Sequence, residues 1–176
     1  FTGRNGLTSY DKNCAAVFIE KGTHLTIRNC ILAGSGNGLF AAYLAEDIMV
    51  EGCYFYDNGV SGSIYEHNNY TEAKRITFQF NHFGHLCTGC PGNNLKDRSA
   101  GTVVRYNWIE GGNRQLDLVN SDHTEVTGLS EYRETWVYGN ILVEPDGAGN
   151  RQIVHYGGDI NSEDSYRKGT LYFYNN

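Results

Sequence analysis

The sequence predicts an all-β fold, a solenoid of stacked parallel strands of the parallel β-helix type. Three observations predict it. A short apolar alternation closed by a small polar residue recurs along the 176-residue chain. A second strand-like series falls between its members. Amphipathic runs of a dozen residues, which the crossovers of an α/β chain require, are missing.

The first series reads "LTIRNCIL" from Leu25, "IMVEGCYF" from Ile48, "ITFQFNHF" from Ile76, "TVVRYNWI" from Thr102, "TWVYGNIL" from Thr135 and "TLYFYNN" from Thr170. The closing residue is Asn29, Gly52, Asn81, Asn107, Asn140 and Asn175 in turn. The steps are unequal, as loop insertions between the repeats of a solenoid produce. Asparagine at one turn of every repeat can bond to its copies above and below and tolerates left-handed backbone. An antiparallel sandwich, the main rival, gives no reason for that recurrence.

The second series is "GLFAAY", "SIYEHN", "NLKDRS", "QLDLVN" and "QIVHYG". Aligned on their apolar starts, they place Leu39, Ile64, Leu95, Leu116 and Ile153 in one inward column. "YLAEDIMVE" is the nearest approach to a helix, yet Ile48, Met49 and Val50 read as strand. "SEYRET" has the length of one helical turn. The stretch from Asn120 to Glu134 is the longest insertion, suited to walling a groove or to forming a surface loop. "EPDGAG" from Glu144 and "DINSEDSYRKG" from Asp159 are turn-rich insertions.

Composition narrows the function classes. Glycine (22 residues) and tyrosine (13) with few charges describe a folded, turn-rich chain rather than a disordered one. The net charge of -6 gives no basic stripe for nucleic acid. No run is long enough to span a membrane as a helix. No leader pattern opens the chain, and a mature form or an excised piece is expected. A single domain over 1–176 fits the length. The last strand stops without a polar cap, so a portion of a longer stack, or end-to-end packing of its open edges, is expected. Five cysteines leave at least one unpaired. Cys30 and Cys53 follow the closing residues and are expected to stack in a column with His82, Trp108 and Ile141. The "CTGC" pair, Cys87 and Cys90, suits a local disulfide or two thiols better than zinc, for which no second pair is spaced. "NYT" at Asn69 has the form of a glycosylation acceptor.

The outer face carries the chemistry. With Leu95 inward, Lys96 and Arg98 face out on one strand, about 6.6 Å apart. On the next repeat Asp117 stands beside Lys96. The same columns place Tyr65 and His67 on the preceding repeat and Val154 and Tyr156 on the following one. Charges for carboxylates and aromatic faces for sugar rings make this a candidate carbohydrate surface, with Arg114 at its edge. An ordinary cross-strand ion pair is the plain alternative for Lys96 and Asp117. Glu66, Asp97 and His155 fall on inward positions, where a carboxylate costs several kcal/mol unless paired. His155 suits a general base, a carboxylate partner or a core histidine.

The repeat pattern resembles the pectate-lyase-like superfamily of right-handed parallel β-helix proteins, over roughly 25–176. Within it, "NNLKDRSAGTVVRYNWIEGG" is similar to a stretch of the alginate lyase and chondroitin B lyase family. The resemblance implies β-elimination on an acidic, uronic-acid-containing polysaccharide. It implies Lys96 as the base and a calcium ion that neutralises the substrate carboxylate. It implies an arginine on the following strand as the acid. Val119 stands about where that arginine belongs, so Arg98 or Arg114 has to replace it. The expected catalytic set is Lys96, Arg98 and His155. Tyr65, His67, Arg114 and Tyr156 are expected to bind substrate, and Asp117 and Glu66 to hold the cation. The expected setting is secreted or cell-surface, the periplasm included. Two other readings stay open at this point. One is a non-catalytic carbohydrate-binding or structural β-helix. The other is a glycoside hydrolase, which needs two suitably spaced carboxyl groups.

Overall fold

The computed structural model describes residues 14–159 and 163–176. In chain order its strands are β1 (Ala15–Arg28), β2 (Ile31–Ala33), β3 (Asn37–Glu51), β4 (Tyr54–Tyr56), β5 (Asn69–Thr71), β6 (Lys74–Gln79), β7 (His82–Phe83) and β8 (Leu95–Asp97). They continue as β9 (Ala100–Arg105), β10 (Trp108–Glu110), β11 (Leu116–Leu118), β12 (Glu134–Tyr138), β13 (Ile141–Val143), β14 (Val154–Tyr156) and β15 (Thr170–Tyr174). Every pairing among the described strands is parallel.

Two sheets result. The larger runs β14-β11-β8-β5-β3-β6-β9-β12-β15, with β1 paired to β3 off this path. The smaller runs β13-β10-β7-β4-β2. The expected class, an all-β right-handed parallel β-helix solenoid, is corrected by this topology. That expectation separated the two strand series by a turn in every repeat. Here β1 and β3 run unbroken for 14 and 15 residues through both series. β3 pairs with β5 through Leu39–Ala41 and with β6 through Glu46–Glu51, so both series belong to one curled sheet that forks at β3. The fold is a two-sheet parallel arrangement, 48% strand and 7% helix. Parallel pairing demands crossovers, and at that helix content loops and the smaller sheet make most of them. No described helix is long and apolar enough to cross a membrane.

The core lies between the sheets. Leu32, Phe55, Phe83 and Ile109 from the smaller sheet meet Val50, Phe78, Val104 and Val137 from the larger, with Phe55 and Phe83 stacked at 4.5 Å. The expected inward column Leu39, Ile64, Leu95, Leu116, Ile153 is corrected at two places. In the observed register Leu39, Asn69, Leu95, Leu116 and Val154 are partners. Ile64 is 59% exposed and Ile153 42%.

The asparagine ladder is present at Asn81, Asn107 and Asn140 as expected, and it ends on Asn176 rather than Asn175. Asn81 donates from Nδ2 to Asn107 Oδ1 (3.0 Å), Asn107 to Asn140 Oδ1 (2.9 Å) and Asn140 to Asn176 Oδ1 (2.8 Å). Cys53 precedes Asn81 in this column and donates its backbone N–H to Asn81 Oδ1. Asn29, Gly52 and Asn175 occupy the position before it, which also holds Phe80, Tyr106 and Gly139, all with positive φ. His82 pairs with Tyr54 and Trp108, so Cys30 and Cys53 do not share its column. Both thiols are free, whereas Cys87 and Cys90 are joined in a disulfide.

The insertion at 120–134 is ordered. It forms a short helix (Thr124–Thr127) and a 3-10 turn (Ser130–Arg133), and packs Val126 and Tyr132 on Ala100. The "SEYRET" turn lies where the sequence placed it. Asn69 is buried, donating to Thr71 Oγ1 and to the Lys96 carbonyl, so "NYT" offers no glycosylation acceptor in the folded chain. Residues 1–13 and 160–162, which carry the start of the expected partial first repeat "NCAAVFIE" and part of the insertion after Asp159, lie outside the described residues.

Candidate active site

The fork of the larger sheet that carries β5, β8, β11 and β14 presents its outer face to a cleft of about 550 Å³. Register places Tyr70, Lys96, Asp117 and His155 side by side on this face, the first three lining the cleft. Strand alternation points all four away from the core, because their neighbours Leu95 and Leu116 are buried. The lining includes Tyr65, His67, Tyr70, Asn93, Lys96, Arg98, Arg114, Asp117 and Asp159.

Asp117 is the hub. Its Oδ2 accepts from Lys96 Nζ (2.6 Å) and from Asn93 Nδ2 (2.6 Å). Its Oδ1 lies 2.8 Å from His155 Nδ1 and 3.8 Å from Arg114 Nη1. Burial pushes this carboxyl up, but the His155 hydrogen bond and the Lys96 ammonium outweigh it and hold the group well below the usual carboxylate range. Lys96 Nζ also lies 2.6 Å from Asp159 Oδ2. Arg98 Nη2 donates to the same Asp159 Oδ2 at 3.0 Å and lies 2.9 Å from its Oδ1. Its Nε donates to Tyr70 Oη (3.0 Å) and its Nη1 to the Asn120 carbonyl. For Asp159 too, burial raises the carboxyl and the Lys96 and Arg98 charges more than reverse that. Burial raises Tyr70 and keeps its phenol protonated against the opposing Arg98 charge. Arg98 loses to burial but gains more from Tyr70 and Asp159, and stays a cation.

The expected site residues fare unequally. Lys96, Arg98 and Asp117 meet as expected, with Arg114 at the edge. His155 is corrected from an inward to an outward position, beside Asp117 rather than one residue beyond it. His67 lines the cleft yet is only 2% exposed. Its Nδ1 accepts the Asn93 backbone N–H (2.9 Å), and burial, then the Lys96 charge, push its pKa down to about 3. Tyr65 lies on the rim, and Tyr70 takes the place beside Lys96 expected for it. Tyr156 is half-buried against the core and does not line the cleft.

Glu66 is fully buried and its two carboxylate oxygens find no partner among the described residues. It does not line the cleft, so it shares no site with Asp117. Both Asp117 oxygens already accept from cationic or N–H groups. Among the described residues no group of three His, Cys, Asp or Glu could hold a metal ion. Asp117 and Glu66 therefore do not fit a calcium ion, and positive charge in the cleft comes from the chain itself. Val119 is buried, its N–H bonded to the Asp97 carbonyl, and offers nothing to the cleft.

Sequence reasoning missed Tyr70, Asn93, Asn120 and Asp159. Comparison with protein-family models, with curated proteins and with solved structures found no match for this chain.

Proposed function

We propose that this cleft catalyses β-elimination on a uronic-acid-containing polysaccharide. The observation that carries the reading is the cationic cluster of the cleft, with Lys96 and Arg114 on a buried Asp117 that also holds His155 and with Arg98 linked to Lys96 through Asp159. The cleft lining holds these three cations against Asp117 and Asp159, one positive charge in excess, while the whole chain is at -6. Local positive charge draws an acidic sugar and stabilises the enolate that forms when the proton next to its carboxylate is removed.

The roles follow from position. Arg98, fixed by Tyr70 and Asn120, holds the substrate carboxylate. Lys96 at the centre of the cleft takes the proton from the neighbouring carbon. A lysine in ion pairs must first give up a proton to act as a base. Both Asp117 oxygens already accept hydrogen bonds, so that proton leaves to the water of the open cleft. The electron pair left on carbon forms the new double bond as the glycosidic oxygen leaves. Tyr70, protonated and next to both Lys96 and Arg98, gives that oxygen its proton. Hydrolysis is disfavoured because Asp117 and Asp159, the carboxyls of the cleft, are both held ionised and neither is suited to be the acid.

The test is ultraviolet absorbance of unsaturated product from alginate, pectate, chondroitin and dermatan. Product from one of them, abolished by Lys96→Ala and slowed about 10²–10⁴-fold by Tyr70→Phe, is expected. No absorbance with any of the four would overturn the reading in favour of carbohydrate binding without catalysis.

A further inference from the structure

The arrangement around Asp159 assigns it a second meaning. Its carboxylate bridges Lys96 Nζ at 2.6 Å and Arg98 Nη2 at 2.9 Å, inside the cleft that both cations line. Neither cation depends on it for position. Lys96 keeps Asp117 Oδ2, and Arg98 keeps Tyr70 Oη and the Asn120 carbonyl. Asp159 itself is set by a backbone bond from its N–H to Asn120 Oδ1 (3.1 Å), the same asparagine whose carbonyl anchors Arg98. Turning its side chain away leaves two fixed donors, one ammonium and one guanidinium edge, facing the same point. A carboxylate can accept from such a pair, as Asp159 does: both donors bond to its Oδ2, and its Oδ1 lies 2.9 Å from the guanidinium.

We infer that Lys96 and Arg98 form a carboxylate-binding seat and that Asp159 is its built-in competitor, which a ligand carboxylate must displace. The ligand class is a hexuronate unit, and that choice rests on the elimination reading. The seat itself rests on geometry. Displacement has two consequences. Apparent affinity is reduced by the fraction of molecules in which Asp159 holds the seat. Neutral sugars, unable to replace its charge on two buried cations, are rejected.

The experiment is calorimetric binding of an oligogalacturonate trisaccharide, and of the same trisaccharide with its carboxyl groups reduced to alcohols. Both are titrated into the unaltered protein, Asp159→Asn and Asp159→Ser, the serine variant serving where the asparagine one does not fold. Uronate binding about tenfold tighter in the variants, with no gain for the reduced ligand, is expected. Equal or weaker uronate binding, an equal gain for the reduced ligand, or no uronate binding to any form would overturn the inference. Turnover is not read here. Tighter uronate binding without unsaturated product defeats the elimination reading and leaves the seat standing. Product without a variant effect on binding does the reverse.

Discussion

Acid should destabilise this protein well above the carboxylate range, because of His67. The imidazole is buried, and its Nδ1 accepts the Asn93 N–H. A proton there would remove that acceptor and add a cation beside Lys96 and Arg98. Its pKa is accordingly pushed from 6.5 to about 3, burial being the first cause and the two cations adding to it against Asp117. A lowered folded-state pKa means that the unfolded chain takes up the proton first as pH falls. Stability is full above 6.5 and declines through the window down to about 3. Each pH unit inside it costs about 1.4 kcal/mol, so roughly 2 kcal/mol disappears between about pH 6.5 and pH 5. Urea unfolding near pH 7 and pH 5 reads this as a fall in midpoint. His67→Asn retains an acceptor for Asn93 without a titrating ring. It is expected to begin less stable and to lose much less over the same interval. A wild-type midpoint that is flat across the interval, or an equal fall in both proteins, would refute the reasoning.

Other outcomes follow from single buried groups. Asn107→Ala removes an acceptor used by the Asn81 backbone and side chain and a donor to Phe78 and Asn140, and is expected to cost about 3 kcal/mol in chemical denaturation. Arg167→Met strands the buried Asp97 and should cost about 3–5 kcal/mol, part of it recovered by adding Asp97→Asn. A Cβ at Gly92 would lie 1.8 Å from the Glu66 carbonyl, next to His67, so Gly92→Ala is expected to lower the melting temperature and, by moving His67, to weaken uronate binding. The Cys87–Cys90 bridge closes only a very short loop, so a reducing agent should change the urea midpoint little.

Much of this organisation was legible because alternation and repetition are properties of the chain itself. Lys96, Arg98 and Asp117 were brought together by counting from Leu95 and Leu116, and those two do pair. The register failed where short polar repeats misled it. "RQ" occurs before "LDL" and before "IVHY", and aligning the two dipeptides puts Leu116 opposite Ile153. The observed partner is Val154, which turns His155 outward. At β5 the error came from the apolar start: Ile64 of "SIYEHN" was set opposite Leu95, where Asn69 stands. In "NNY" the first asparagine, Asn68, bonds across to Asn94, the second asparagine of "NNL". Pairing those two moves Tyr70 beside Lys96 and leaves Tyr65 on the rim. A bonded pair of buried amides was the usable signal there. Asp159 had none, since nothing local marks a loop aspartate that returns to a strand 63 residues away. The fold class was misjudged for a related reason. Polar residues between the two series look like turns, yet β3 carries Glu46 and Asp47 through as strand.

Asp97 and Asp117 show how the fold turns similar residues to different ends. Both are buried, on adjacent strands one register step apart. Asp97 points inward, where Thr71, Thr102, the Ser99 N–H and Arg167 supply donors to its two oxygens. Arg167 is itself buried and also holds the Val119 and Asp97 carbonyls and the Thr135 hydroxyl. An inward carboxylate this fully bonded fixes its strand in place, and Lys96 and Arg98 are the residues on either side of it. Asp117 points outward, and its donors are groups of the cleft. The inner ion pair therefore acts on the seat through backbone position. If so, Arg167→Met assayed well below its unfolding midpoint should weaken uronate binding and raise KM more than it lowers kcat. A purely global role would leave the folded fraction binding as tightly as the unaltered protein.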